Sequence, residues 1–452
     1  MLSTYQVAAA AALGVLLLSA STLHSQDHDH AGMAMDSQHI MMTPLEIPMD
    51  RMGSGTTWIP DETVVPSRHF DAFGWDLTTH GFGFVQYNHQ SGPRGDSQFG
   101  SLNWGMLMAS HRLAGGLLQL RTMLSLDAAG VTERGYPLLL QTGEAVDGER
   151  LFDRQHPHDL FMELSALYLR RLSSRVGMQL YGAISGEPAL GPSAFMHRPS
   201  AMDDPVAPIG HHWQDATHIT FGVLTAGLFG QRWKVEGSLF NSREPDQERW
   251  DFDLRKLDSY SGRLTLNPSA AWSLTAGYGY LKSPEALEPD EPIKRISASA
   301  LWGRARQNGQ IGAAVVYGAN VHGGTTTHSV LAETEAVFDR SHTLFGRVEF
   351  VQKSPDDLGL EDLGDEAFNI GAFSLGAIRE VIRGNGVTMG VGVRASVSLI
   401  PRSLEPTYGS RTPVGALLFV RVRPLHFKPG MPTEPAPANS PTSPPVAPPH
   451  RH

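Results

Sequence analysis

Cysteine is absent from all 452 residues. That excludes disulfides, thiolate metal centres, cysteine nucleophiles and a lipidated N-terminal cysteine. It also suits passage through an oxidising compartment, where a stray thiol is a liability. Long apolar runs are missing as well: past the N-terminus no stretch approaches the ~18 residues of a membrane-spanning helix. Positive charge is scarce. Thirty-six Lys and Arg face 46 Asp and Glu, a formal net charge of −10. This argues against nucleic acid as a partner, because phosphate binding needs a clustered basic surface. No nucleophile elbow, P-loop or dinucleotide fingerprint is present.

What is there divides into four parts. Residues 1–25 read as a secretory signal: residues 7–18 form a compact apolar core, followed by small residues at Ser19, Ala20 and Ser21. No Lys or Arg precedes that core, which is unusual for such a signal. Residues 26–75 lack any sustained period and read as a loose polar tail. From residue 76 to 426 the texture changes to segments of about ten residues in which apolar and polar or small residues alternate. Val235 and Leu239 stand opposite Lys234 and Glu236; Leu344, Val348 and Phe350 alternate with Phe345, Arg347 and Glu349. Period two means one face in apolar surroundings and one face polar. Short turns, as at Ala114-Gly115 and Asp339-Arg340, alternate with long links, as over residues 127–157 and 186–217; Gly323-Gly324 is the one short link on the long side. That is the pattern of an outer-membrane barrel. The expectation is an all-β, transmembrane antiparallel β-barrel of about 16 strands (14–18) with both termini in the periplasm. Trp75, Trp104, Trp233, Trp272, Trp302, Tyr260 and Phe419 are expected in its interfacial girdles. Residues 427–452, rich in proline, read as a disordered tail. Phe427 does not end the chain, so the terminal aromatic read by the barrel assembly machinery is displaced.

Two constellations carry chemistry. The first is the tail, with His28, His30, Met33, Met35, His39, Met41 and Met42 among several aspartates. Thioethers suit Cu(I) and imidazoles suit Cu(II), so one flexible segment serves either oxidation state. The second is the pair of long links, holding six of the chain's twenty histidines: His156, His158, His197, His211, His212 and His218. On neighbouring strands these links converge, and three imidazoles with Asp153, Asp159 or Asp215 would suffice for a zinc or copper site. The competing reading is structural: Arg154, Arg198, Asp153, Asp203 and Asp204 pair inside folded loops, with the histidines as hydrogen-bonding partners. The apolar run Tyr136-Pro137-Leu138-Leu139-Leu140 is expected to fold inward as a partial plug, since an exposed patch of that kind would be adhesive.

Signal, His/Met tail and barrel together resemble the outer-membrane copper-resistance B family, in which a Met/His-rich segment precedes a barrel. The barrel region is more similar to an uncharacterised family of exported bacterial proteins associated with heavy-metal resistance loci. That likeness rests on residues 135–144, 153–159, 195–201 and 211–215, and it implies a setting rather than an activity. The leading expectation is an outer-membrane barrel, in contact with lipid, that binds or handles metal ions, copper above all, as Cu(I) or Cu(II). The alternatives are a general solute channel with a constricted lumen and a barrel-borne envelope hydrolase using Ser165, Ser185, Ser193 or Ser200. The reading leans away from an enzyme. The inward charges Arg232, Lys234, Glu236, Glu333, Glu335, Arg347, Glu349 and Arg394 are expected either to pair across the lumen or to line a selective pore.

Overall fold

The computed structural model describes residues 42–384 and 386–425. The signal, tail residues His28, His30, Met33, Met35, His39 and Met41, and the Pro-rich end lie outside them. In chain order the first strands are β1 (Ser67–Ala72), β2 (Trp75–Gln90), β3 (Ser97–Leu113), β4 (Gly116–Leu124), β5 (Tyr136–Val146), β6 (Glu149–Gln155), β7 (Phe161–Arg171), β8 (Gly177–Gly186), β9 (Thr220–Phe229) and β10 (Trp233–Phe240). There follow β11 (Ser259–Ser269), β12 (Trp272–Leu281), β13 (Ile293–Arg306), β14 (Gly309–His322), β15 (Thr325–Phe338), β16 (His342–Lys353), β17 (Phe368–Gly384), β18 (Val387–Leu399) and β19 (Val414–Pro424).

β2–β4 and β7–β19 form a closed antiparallel barrel of 16 strands. Closure joins β19 to β2, with Gly415–Val422 against Gln90–Gly83. β1 occupies the remaining half of the same β2 edge, pairing with Trp75–His80. β5 and β6 pair only with each other. Short turns gather at one rim and long links at the other, as expected. Among the described residues no helix is long and apolar enough to cross a membrane; the crossing elements are strands.

The alternation read from the sequence is the alternation of the wall. Val235, Leu239, Leu344, Val348 and Val393 are exposed on the outer face, whereas Lys234, Glu236, Arg347 and Arg394 are buried inside. Trp272 and Tyr260 are exposed outside, but Trp104 and Phe419 point into the lumen and are buried, against the girdle expectation. Strand parity places them: Trp104 shares a face with Leu102 and Met106, also buried. Arg232 lies exposed in a turn rather than in the lumen.

The lumen is filled from both rims. At the turn rim residues 43–64 are folded, not loose as expected of the tail. Leu45, Ile47, Trp58 and Ile59 are buried there. Arg51 pairs with Asp61 at 2.6 Å, and Trp58 lies beneath both Arg51 and the Lys234 ammonium. At the loop rim the β5–β6 hairpin turns inward as expected, burying Leu139 and Leu140 beside Leu358, Ile370 and Leu404. Between them residues 187–219 cross the lumen as a plug. Its charges meet those of the wall: Arg198 with Glu333 at 2.6 Å, Asp204 with Arg394 at 3.1 Å, Asp203 with Arg421 at 2.5 Å and with Arg423 at 3.2 Å. Arg347 bonds Glu333 at 3.0 Å. Of the inward charges, Lys234 and Glu236 therefore pair with each other, and Glu333, Arg347 and Arg394 pair with one another or with the plug. Gly318 on β14 permits this seating, because a Cβ there would collide with the carbonyl of Trp213 in the plug.

Candidate functional site

The plug is organised around Asp215. Its carboxylate accepts from His211 Nδ1 at 2.6 Å and from Arg198 Nη1 at 2.6 Å, and its carbonyl accepts from His218 Nδ1 at 2.8 Å. Burial alone would raise the pKa of this carboxyl, but Arg198 and His211 outweigh it and hold it well below the usual carboxylate range. Single helical turns at His211–Gln214 and Ala216–His218 present the rings. Both Nδ1 atoms are thus bonded, while Nε2 of His218 is buried without a hydrogen-bond partner among the described residues.

The other links bring their histidines to the same place. His158 Nδ1 bonds Asp127 at 2.7 Å, and that carboxylate is itself fixed by the Asn103 amide at 2.6 Å. His156 Nε2 stands 3.2 Å from Glu144 of the hairpin, and His212 Nδ1 stands 3.2 Å from Glu244. Arg249 braces this corner by pairing with Glu144 and with Asp159. The rings form a chain. His156 lies 6.2 Å from His212, His212 5.6 Å from His211, His211 5.1 Å from His218, and His218 5.4 Å from His158, all between ring centroids. His197 stands apart, 5.5 Å from His80 and 4.5 Å from Trp104.

Burial is the main cause that lowers the pKa of His156, His197 and His211, and it takes His212 to about 4 and His218 to about 3. These rings are neutral at physiological pH, the form that binds metals. Nε2 of His197, His212 and His218 has no hydrogen-bond partner among the described residues. An unsatisfied buried nitrogen is destabilising by roughly 1–3 kcal/mol. A ligand-backed imidazole whose far nitrogen is open has the arrangement found in metal sites, where a carboxylate or carbonyl orients the ring.

A cavity of about 300 Å³ opens at the loop rim beside His156 and His212, lined by Glu144, Glu244, Glu285, Asp246, Glu248 and Arg150. Burial, with Glu244 next, pushes Glu285 up to about 7, and burial also raises Glu244 and Glu144. Carboxyls crowded in this way favour a cation among them. On the rim Asp246, Asp251 and Asp253 hold carboxylate oxygens within 4.8 Å of one another, the one such group of three among the described residues. The histidine nitrogens do not form such a group. They line a track rather than converge on a point.

Of the residues expected in the site, His156, His158, His211, His212 and His218 come together, and His197 faces a different wall. Met42, half-buried at the turn rim, bridges to Pro48. Asp153 pairs with Arg94 at 2.7 Å and Arg154 with Asp96 at 2.9 Å, which are structural roles. The serines weighed for catalysis are engaged elsewhere: Ser165 donates to Glu163, Ser185 to Phe161, Ser200 to Glu333, and Ser193 meets Ser54. Glu144, Glu244, Glu285 and Asp127 were not expected. They lie on three separate links, Asp127 and Glu144 on the first of them, with no shared motif, so only the fold assembles them.

No protein-family model matches the chain, and no curated protein matches it. Solved structures do. OmpF of Salmonella typhi, solved as a complex with daunomycin, is 11% identical and superposes with a TM-score of 0.50 over 79% of this chain and 100% of its own. OprB of Pseudomonas putida, in a high-pH structure, is 10% identical with a TM-score of 0.48 over 78% of this chain and 94% of its own. The outer membrane channel DcaP of Acinetobacter baumannii is 9% identical with a TM-score of 0.46 over 78% of this chain and 99% of its own. At such identities the likeness is one of fold: this chain is built as a bacterial outer-membrane β-barrel.

Proposed function

We propose that the protein is an outer-membrane barrel that captures metal cations, copper foremost, at its loop-side mouth and holds them on the histidines of its plug. The observation that carries this reading is the contact between the acidic cavity and the histidine track. Carboxyls gather cations at the rim, and two of them, Glu144 and Glu244, stand 3.2 Å from His156 and from His212, whose Nε2 is open. Borderline ions such as Cu(II) suit imidazole and carboxylate together. The long links then face outward, and the turn rim with both termini faces the periplasm. The His/Met tail from His28 to Met42 would give a second store there for Cu(I). The resemblance to barrels associated with heavy-metal resistance points the same way.

The channel reading keeps one observation in its favour. The lumen is closed by a loop held through ion pairs, and not by the wall, so loop movement would open it. Equilibrium dialysis against Cu(II) and planar-bilayer conductance separate the two. Metal handling requires tight Cu(II) binding that survives deletion of residues 26–41 and falls when His156, His211, His212 and His218 become Ala. A steady conductance in the unmodified protein, with no such binding, would establish the channel instead.

A further inference from the structure

On the far side of the plug from the acidic cavity, the wall carries a group the function above does not use. His80 on β2, Met106 on β3 and Met123 on β4 are direct ladder partners, His80 with Met106 and Met106 with Met123. All three point inward and are buried, at 6%, 6% and 4% exposure. Cross-strand partners stand side by side on one face, so the three form a continuous imidazole–thioether–thioether row. His80 Nε2 already lies 3.0 Å from Met106 Sδ. His197 comes down onto this row from the plug, its ring 5.5 Å from that of His80. Trp104 packs against both, 5.0 Å from His80 and 4.5 Å from His197. His80 Nδ1 and His197 Nε2 have no hydrogen-bond partner among the described residues. The surroundings include Phe82, Phe84, Leu102 and Met162, buried in one apolar cluster, and the charge that acts on both His80 and His197 is the buried Arg121, which Glu163 balances at 3.7 Å.

We propose that His80, Met106, Met123 and His197 form a site for a monovalent soft cation, Cu(I) or Ag(I), with Trp104 as its aromatic wall. Thioethers and imidazoles are soft, neutral ligands, and together they select Cu(I) over hard or divalent ions. A neutral ligand set in an apolar cavity favours the lower charge, because desolvating a divalent ion there without carboxylates is far more unfavourable. The indole face adds cation–π stabilisation without bringing a counter-charge. Methionine's rotatable bonds let its sulfur retreat from His80 to the longer separation that two ligands of one ion keep. The loop-end histidines differ in each respect, since every one of His156, His158, His211 and His212 has a carboxylate beside it.

The site shares with the proposed function only the premise of metal binding, and it stands or falls on different residues. The test is titration of the full-length folded protein with Ag(I), read as tryptophan fluorescence, with Zn(II) as the divalent control. Ag(I) is expected to quench a component that Zn(II) leaves unchanged. That component should vanish in Trp104→Phe. Its apparent affinity should fall ~10-fold or more in Met106→Leu, since even partners behind a ligand are worth about that much. Met106→Leu keeps volume and apolarity, so the wall should fold as before; His197→Gln, in the plug, is the second variant should it not. His156→Ala and His211→Ala should leave the Ag(I) response intact even if they abolish Cu(II) binding. A response unchanged in Trp104→Phe and Met106→Leu, or one given equally by Zn(II), would overturn the proposal.

Discussion

The lumen histidines divide by what stands behind them. At the loop end His158 and His211 are backed by Asp127 and Asp215, and His156 and His212 stand beside Glu144 and Glu244. At the wall end His80 and His197 have a thioether, an indole and apolar side chains, and no carboxylate bonds to either. The residue type is the same; the neighbours differ. Carboxylates raise ligand basicity and supply counter-charge for a divalent ion, whereas thioethers and an aromatic face suit a soft monovalent one. The plug thus carries histidines with carboxylate neighbours and one, His197, with aromatic and apolar neighbours.

Breaking the plug should abolish both ends at once. Arg198 is fully buried between Asp215 and Glu333. Arg198→Ala removes the guanidinium shared by two buried carboxylates, leaving Asp215 to His211 and Glu333 to Arg347 and Ser200, and breaking a buried pair in this way is destabilising by roughly 3–5 kcal/mol. The expected result is a plug that leaves its seat: conductance appears in planar bilayers, and both Cu(II) and Ag(I) binding are lost. Gly318→Val should do the same more mildly by pressing on Trp213, with intermittent openings as the readout.

Acid should act on the loop end through a known sign. His212 and His218 are held at about 4 and about 3 by burial, against about 6.5 when unfolded. The plug-released state therefore binds more protons below 6.5, and the seated state loses stability progressively as pH falls towards 4. Above 6.5 this contribution is flat. Limited proteolysis of residues 187–219 at pH 7 and pH 4.5 checks it: cleavage should rise in acid and be unchanged between pH 7 and pH 8.

Asp215→Asn separates the ends. The shape is kept, but His211 loses its charged acceptor, and a change behind a ligand weakens metal affinity by about 10–100-fold. Cu(II) affinity should fall within that range while the Ag(I) response of Trp104 holds. The smallest effect is expected at the rim. Glu285→Gln removes one crowded carboxyl and should slow Cu(II) capture a few-fold at low salt, an effect that fades as salt screens the cavity.

The wall was legible because period two is a local rule: Val235, Lys234 and Glu236 announce their faces without any knowledge of the fold. The inward hairpin was legible for a related reason, since Leu139 and Leu140 could not remain in water. The fill at the turn rim was not. Residues 43–64 carry no period, and Leu45, Ile47 and Trp58 are too scattered to announce a core; it is the barrel that gives them one. In the site, the histidines were visible as a cluster, but their carboxylates came from three separate links whose convergence depends on closure. His80 and Met106 were within reach. Strand parity puts both on the inward face, where His80 precedes Phe82 and Phe84, yet a lone histidine and a lone methionine on different strands carry no motif until the ladder pairs them.

Anomalous diffraction at the copper edge from copper-soaked crystals tests metal capture by the plug most directly. The expected result is a peak within coordination distance of the open Nε2 atoms of His212 or His218, lost in the Asp215→Asn protein. Peaks confined to the exposed Asp246, Asp251 and Asp253, or none in the lumen, would contradict it and leave the histidine track a structural feature of the plug.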